Sequence, residues 1–442
     1  MAGFPEVSSG GPTSLRRIAG LAVPALVVLA AEPLYLLVDT AVVGHLGPVP
    51  LAALAVGGTL LTVAVWLGNL IAYGTTSRAA RRFGAGDRAA AVAEGVQASW
   101  LALALGLLLA AAAQPGARPL AELLAGGDPA VSGAAAGWLR IAALGAPGLL
   151  LATAGNGWLR GVQELWRPLR YVLGANLLSA GLCPLLVYPA GLGLTGSAVA
   201  NVAAQTLAGG LFVRALLAQR VPLAPDPAVI GAQLVAGRDL LLRGAAMHAC
   251  FLSATAVAAR FGTAVVGAHQ IALQLWFFCA LALDAVAIAA QTLVGAALGG
   301  GDAGQARALA RRVAAAGGVG GVGLAVLIGA GAGVLPGLFS PDPQVHAQAM
   351  LAWPWFVGML PAAGVVFALD GVLIGAGDLR YLRNLTLVAT LGGFLPAIWA
   401  GYALQLGLGG IWAGLTLFVV IRLVAQLARV RSGGWVVLGA AR

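Results

Sequence analysis

Residues Arg16 to Gly47 read RRIAGLAVPALVVLAAEPLYLLVDTAVVGHLG. The run from Ile18 to Val38 is long enough to cross a bilayer, which takes about 20 apolar residues. It starts behind two arginines and holds Pro24, Glu32 and Asp39. An acid at the centre of a lipid-exposed helix costs about 2.5–3.5 kcal/mol on insertion. Intramembrane acids therefore face a protein interior or a water-filled cavity, and they are functional candidates. Glu32 and Asp39 lie two turns apart, on one helix face. Pro24 removes a backbone hydrogen bond and lets the helix bend. The run exceeds the apolar core of a cleaved signal peptide. Arg16 and Arg17 are read as orienting a first membrane span.

The rest of the chain has the same character. Of 442 residues, 60% are hydrophobic and 9% charged. A soluble domain carries about 25% charged residues, so that class is excluded. Apolar runs of helical length recur throughout, and the alternating ten-residue segments of a membrane barrel are missing. The net charge of +10 resides in arginines between apolar runs, so no nucleic-acid partner is implied. Cys183, Cys250 and Cys279 fall inside apolar runs and read as packed thiols.

Twelve spans are predicted, at 17–41, 51–75, 91–113, 134–156, 168–189, 194–216, 239–260, 265–295, 309–334, 347–374, 383–403 and 408–430. Residues 1–14 form an N-terminal tail, 15–216 a first lobe, 217–238 a Pro-containing cytoplasmic linker, 239–430 a second lobe and 431–442 a C-terminal tail. With the N-terminus in the cytoplasm, every arginine except Arg118, Arg140 and Arg260 falls on the cytoplasmic side. This positive-inside bias places both termini in the cytoplasm of a multi-pass inner (plasma) membrane protein.

The two halves repeat. Gly84-Ala-Gly86-Asp87 matches Gly299-Gly-Gly301-Asp302 at an offset of 215. Pro147 matches Pro361, and Gly157-Trp-Leu-Arg-Gly161 matches Gly371-Val-Leu-Ile-Gly375, at an offset of 214. Six spans per half give both halves the same orientation, so the repeats are parallel. The 65 glycines fit close helix packing in lipid.

Four acids fall within spans: Glu32, Asp39, Asp284 and Asp370. A buried carboxyl group can load and unload a proton, or bind a cation when ionised. Asp39 leads; Glu32, Asp284 and Asp370 are secondary candidates. Polar companions are Tyr35, Asn156, Asn176, Ser179, Asn201 and Gln205 in the first half, and His248, His269, Gln270, Gln274 and Gln291 in the second. Trp276, Phe277 and Phe278 are candidates to line a cavity for aromatic or cationic compounds. No HExxH, GxSxG, Walker loop or DDxxD motif is present. An enzyme is not expected, no metal or cofactor is implied, and an ion gradient is the expected energy source.

The string from Glu32 to Gly47 resembles the first helix of the multidrug and toxic compound extrusion (MATE) transporters, in particular the DinF-like branch. Gly84-Ala-Gly86-Asp87, Leu373-Ile-Gly375-Ala-Gly377-Asp378 and Leu283-Asp284 to Gln291 are similar to family segments too. The resemblance spans residues 15–430. It implies an all-helical protein with two six-helix lobes around a V-shaped cleft. It also implies export of organic cations and amphipathic drugs against inward proton or sodium flow. On this likeness Asp39 matches the coupling aspartate, Tyr35 a nearby tyrosine and Pro24 the proline at which the first helix bends. Asp370 stands where other branches carry an acid in the tenth helix. Asn176, Ser179 and Asn201 complete the expected coupling site. The chain departs from the family where an Asn-x-x-x-Asp pattern becomes Ser179 and Cys183, and where a threonine becomes Asn201. A thiol is a poor ligand for a hard cation, so proton coupling through Asp39 is favoured over sodium.

The leading reading is a monomeric proton-coupled exporter. The alternative is a flippase for a lipid or lipid-linked intermediate, which calls for arginines inside the cavity. The placement of nearly all arginines in cytoplasmic loops counts against it. A major-facilitator transporter is disfavoured because Ser77-Arg-Ala-Ala-Arg81-Arg82-Phe-Gly84 does not spell that family's loop.

Overall fold

A computed structural model describes residues 15–440, with the side chains of Leu15, Arg16 and Glu32 outside the described set. The expected tail at 1–14 also lies outside it. Among the described residues, twelve helices are long and apolar enough to cross a membrane. They are α1 (Leu15–Gly44), α2 (Pro48–Gly84), α3 (Arg88–Leu124), α4 (Pro129–Gly161), α5 (Trp166–Val187) and α6 (Leu194–Leu217). The second set is α7 (Pro227–Ala259), α8 (Thr263–Gly299), α9 (Ala303–Ala330), α10 (Pro343–Gly375), α11 (Leu379–Ala403) and α12 (Gly407–Ser432). No strand occurs among the described residues. The chain is an all-α, multi-pass membrane protein.

Several helices outrun the expected spans, because hydropathy marks only the part that needs lipid. α2, α3 and α8 each run 37 residues, far beyond the 20 or so that a bilayer requires. α7 begins at Pro227, inside the stretch read as a linker. Only 218–226 connects α6 to α7, and it is tied down. Gln97 on α3 donates to the Ala224 carbonyl at 3.0 Å and accepts from the Asp226 N–H at 2.9 Å. Trp100 Nε1 donates to the Leu223 carbonyl at 2.8 Å.

The chain divides into two compact units. One runs from Val27 to Gly237; the other holds 238–442 and the first turns of α1 up to Leu26. Inside each, the repeat read from sequence reappears as contacts. A Cβ on Gly157 would meet the Ala72 backbone, and one on Gly371 would meet Ala287, 215 residues on. Gly161 lies likewise against Thr76, and Gly375 against Gln291. Gly106 packs on Pro147, and Gly321 on Pro361. In lipid such backbone approach is what brings helices together.

The Gly-x-Gly-Asp motifs are turns between helices. Gly86 and Gly301 adopt φ of +81° and +79°, a region that disfavours a Cβ. Asp87 and Asp302 then cap the next helix, accepting from the Ala90 and Gln305 N–H groups at 2.9 and 2.7 Å. One repeat element diverges: α4 passes through a single 3₁₀ turn at Ala143–Gly145 before Pro147, whereas α10 stays α-helical through Pro361.

Candidate functional site

The first unit contains a cavity of about 390 Å³ walled by α1, α2, α4, α5 and α6, within the range of small-molecule sites. α1 turns Tyr35 and Asp39, one turn apart, toward it. Asp39 is 2% exposed and Tyr35 6%. The Cys183 thiol, from α5, donates to Asp39 Oδ1 at 3.1 Å. The Ser197 hydroxyl, from α6, lies beside the Asp39 carboxyl group, and it accepts from Trp138 Nε1 of α4 at 3.3 Å. Asn201 Nδ2 donates to the Tyr35 hydroxyl at 3.4 Å, and Ser179 approaches the same oxygen. Asp39, Tyr35, Ser179 and Asn201 thus form one cluster, and Asn176 lies on the cavity wall beside it.

The remaining lining is amide- and hydroxyl-rich: Thr62, Asn69, Thr153, Asn156 and Gln205. Asn156 Oδ1, Asn176 Nδ2 and Asn201 Oδ1 are buried without a protein hydrogen-bond partner. Buried amide atoms of this kind carry a desolvation cost that a guest's polar groups would relieve. Pro24 is a buried residue of α1, which is helical through it.

Sequence reasoning missed three parts of this site. Cys183 registers in the sequence as a packed thiol and a lost carboxylate, yet it contacts Asp39 directly. Ser197, not among the polar residues singled out from the sequence, lies beside the same acid. Arg160, assigned to a cytoplasmic connection, is buried at 7% exposure and lines the cavity. The placement of arginines in connections also fails for Arg243 and Arg422, which lie within α7 and α12 at 14% and 3% side-chain exposure.

The secondary acids separate. Asp370, on α10, accepts from Arg243 of α7 at 2.6 Å, from Arg422 at 2.5 Å and from Gln426 at 2.7 Å, both on α12. It belongs to the second unit and is not part of the Asp39 cluster. Asp284, on α8, is half-buried in that same unit. Glu32 lies on α1, with its side chain outside the described residues. His269 is fully buried edge-on to Trp412, and His248 is exposed with Nδ1 2.9 Å from the Gly244 carbonyl. Trp276 is buried, whereas Phe277 and Phe278 are exposed.

Known proteins match this architecture. The family model described as MatE matches residues 24–185 and 240–399. Protein DETOXIFICATION 44, chloroplastic, of Arabidopsis thaliana is 32% identical across 96% of this chain and 84% of its own length. DNA damage-inducible protein F of Escherichia coli (strain K12) is 31% identical across 94% of this chain and 92% of its own. Among solved structures, a MATE transporter in the bent conformation superposes with a TM-score of 0.86 at 22% identity, covering 95% of this chain and 94% of that one.

Proposed function

The chain belongs to the MATE family of multidrug and toxic-compound efflux transporters, and from that premise we propose that it exports organic cations and amphipathic compounds in exchange for protons. The observation that carries this reading is Asp39, a buried carboxylic acid in the wall of a cavity large enough for a drug. In this reading Asp39 exchanges the proton. Tyr35 and Asn201 share a hydrogen bond beside it, Ser179 and Asn176 supply further polar groups around it, and Pro24 lets α1 bend. Proton uptake removes the negative charge that holds a cation, which is the differential affinity an exchanger requires. The contact from the Cys183 thiol supports protons over sodium, because a hard cation prefers oxygen ligands to sulfur. Asp284 and Asp370 remain secondary acids, the latter already bound by two guanidinium groups. The same reading places the protein in the plasma membrane as a monomer with both termini in the cytoplasm.

The test is dye movement in proteoliposomes with a lipophilic cationic dye. Wild type should follow a pH gradient and ignore sodium, while Asp39→Asn should lose coupled transport with its fold intact. Normal transport by the variant would remove Asp39 from the coupling site.

Arg160 in the cavity wall favours a second reading, a flippase for an anionic lipid or lipid-linked intermediate. Under that reading the purified protein moves a fluorescent anionic lipid between leaflets, and the cationic dye neither moves nor competes.

A further inference from the structure

The repeat relates the lining of the first-unit cavity to a second, nearly closed pocket. That pocket lies within the second unit and encloses about 20 Å³ in this state. With the offsets of 215 and 214 read from the repeat motifs, Phe251 corresponds to Leu36, Trp276 to Leu61, Phe367 to Thr153, Leu415 to Asn201, Val419 to Gln205 and Arg422 to Ala208. Every one of these residues lines its own pocket. At these paired positions the chemistry differs: leucines, a hydroxyl, two amides and an alanine in the first cavity stand where aromatic rings, aliphatic side chains and a guanidinium stand in the second.

The charge in the second pocket is uneven. One carboxylate, Asp370, serves two guanidinium groups, Arg243 and Arg422. Arg422 is 2% exposed, lines the pocket and lies 5.4 Å from the Phe418 ring. The Nε of Arg422 and that of Arg243 are buried and make no hydrogen bond. A buried cation without a full complement of partners is costly, and an anionic guest relieves that cost. Met247 and Met359 occupy the pocket wall, and unbranched thioether side chains repack readily around a guest.

We propose that the second unit holds a ligand site for an aromatic carboxylate, its anionic head on Arg422 and its ring among Phe251, Trp276, Phe367 and Phe418. The site is distinct from the Asp39 cavity and, on the cation-export reading above, takes a guest of the opposite charge.

The test is calorimetric titration of 1-naphthoate into the full chain in nanodiscs of zwitterionic lipid. Saturable binding is expected, and it should persist in Asp39→Asn; any binding of 1-naphthylmethylammonium belongs to the Asp39 cavity and should be unchanged in Arg422→Gln. Arg422→Gln leaves the Asp370–Arg243 pair in place and should weaken binding by about tenfold or more. Arg422→Lys should retain most of it. Phe367→Trp keeps every charge, fills the pocket and should weaken binding as well; it serves if Arg422→Gln does not fold. Absence of saturable binding, or equal affinity in Arg422→Gln or Phe367→Trp, overturns the proposal. Adding phosphatidylglycerol to the nanodiscs should leave the affinity unchanged. Loss of binding there would hand the guanidinium to lipid headgroups and overturn the aromatic-carboxylate assignment.

Discussion

Asp39 and Asp370 are both acids on membrane helices, and their surroundings make them different groups. Asp39 meets a thiol, a hydroxyl and a cavity. Asp370 meets two guanidinium groups and an amide. Removing the charge from Asp370 leaves two buried cations facing each other, so Asp370→Asn should destabilise the protein by about 3–5 kcal/mol. Thermal unfolding in detergent, compared with wild type at the same pH, reads that loss. Cys183 offers the reverse experiment. Cys183→Asp places a second carboxylate beside Asp39, and two carboxylates at hydrogen-bond distance share a proton unless a cation between them lets both ionise. Dye export by this variant should gain a dependence on sodium, seen as faster transport when sodium is added at constant pH. The proton-coupling candidate was legible in the sequence because an acid in an apolar run is costly wherever it lands. The partner list was not. Serine and cysteine look alike as packing residues until the fold brings them within reach of a carboxylate from a helix some 150 residues away.

Between helices, glycine decides how close the backbones come. Gly157 and Gly161 on α4 and Gly371 and Gly375 on α10 lie directly against neighbouring main chain. A methyl group at Gly371 collides with the Ala287 backbone, which cannot swing aside as a side chain does. Gly371→Ala should therefore cost about 1–3 kcal/mol. Gly174→Ala on α5, where a Cβ meets nothing within 4 Å, should leave stability close to wild type. Unfolding midpoints of the two variants, measured side by side, separate local crowding from any general effect of losing glycine. The sequence marked these glycines by their spacing and their recurrence. It did not say that α7 starts at Pro227 or that the connection before it is strapped to α3, because prolines read equally as loop breakers and as first-turn residues.

At the scale of the molecule, twelve apolar helices and a basic bias on one side set the reading of topology. A fluorescent protein fused after Arg442 should fluoresce, and alkaline phosphatase at the same place should stay inactive, if the C-terminus is cytoplasmic. The opposite pair of results would invert the topology. The sequence by itself determined the membrane class, the number of spans, the repeat and the family, because hydropathy and periodic glycine motifs are properties of local composition. It also nominated Asp39. Only the tertiary structure decided which polar residues meet. It drew Cys183 and Ser197 to Asp39, put Arg160 in a cavity wall and paired Asp370 with Arg243 and Arg422. The physical reason is that hydrogen bonds and ion pairs act over about 3 Å. Contacts between helices far apart in the chain exist only after those helices have packed.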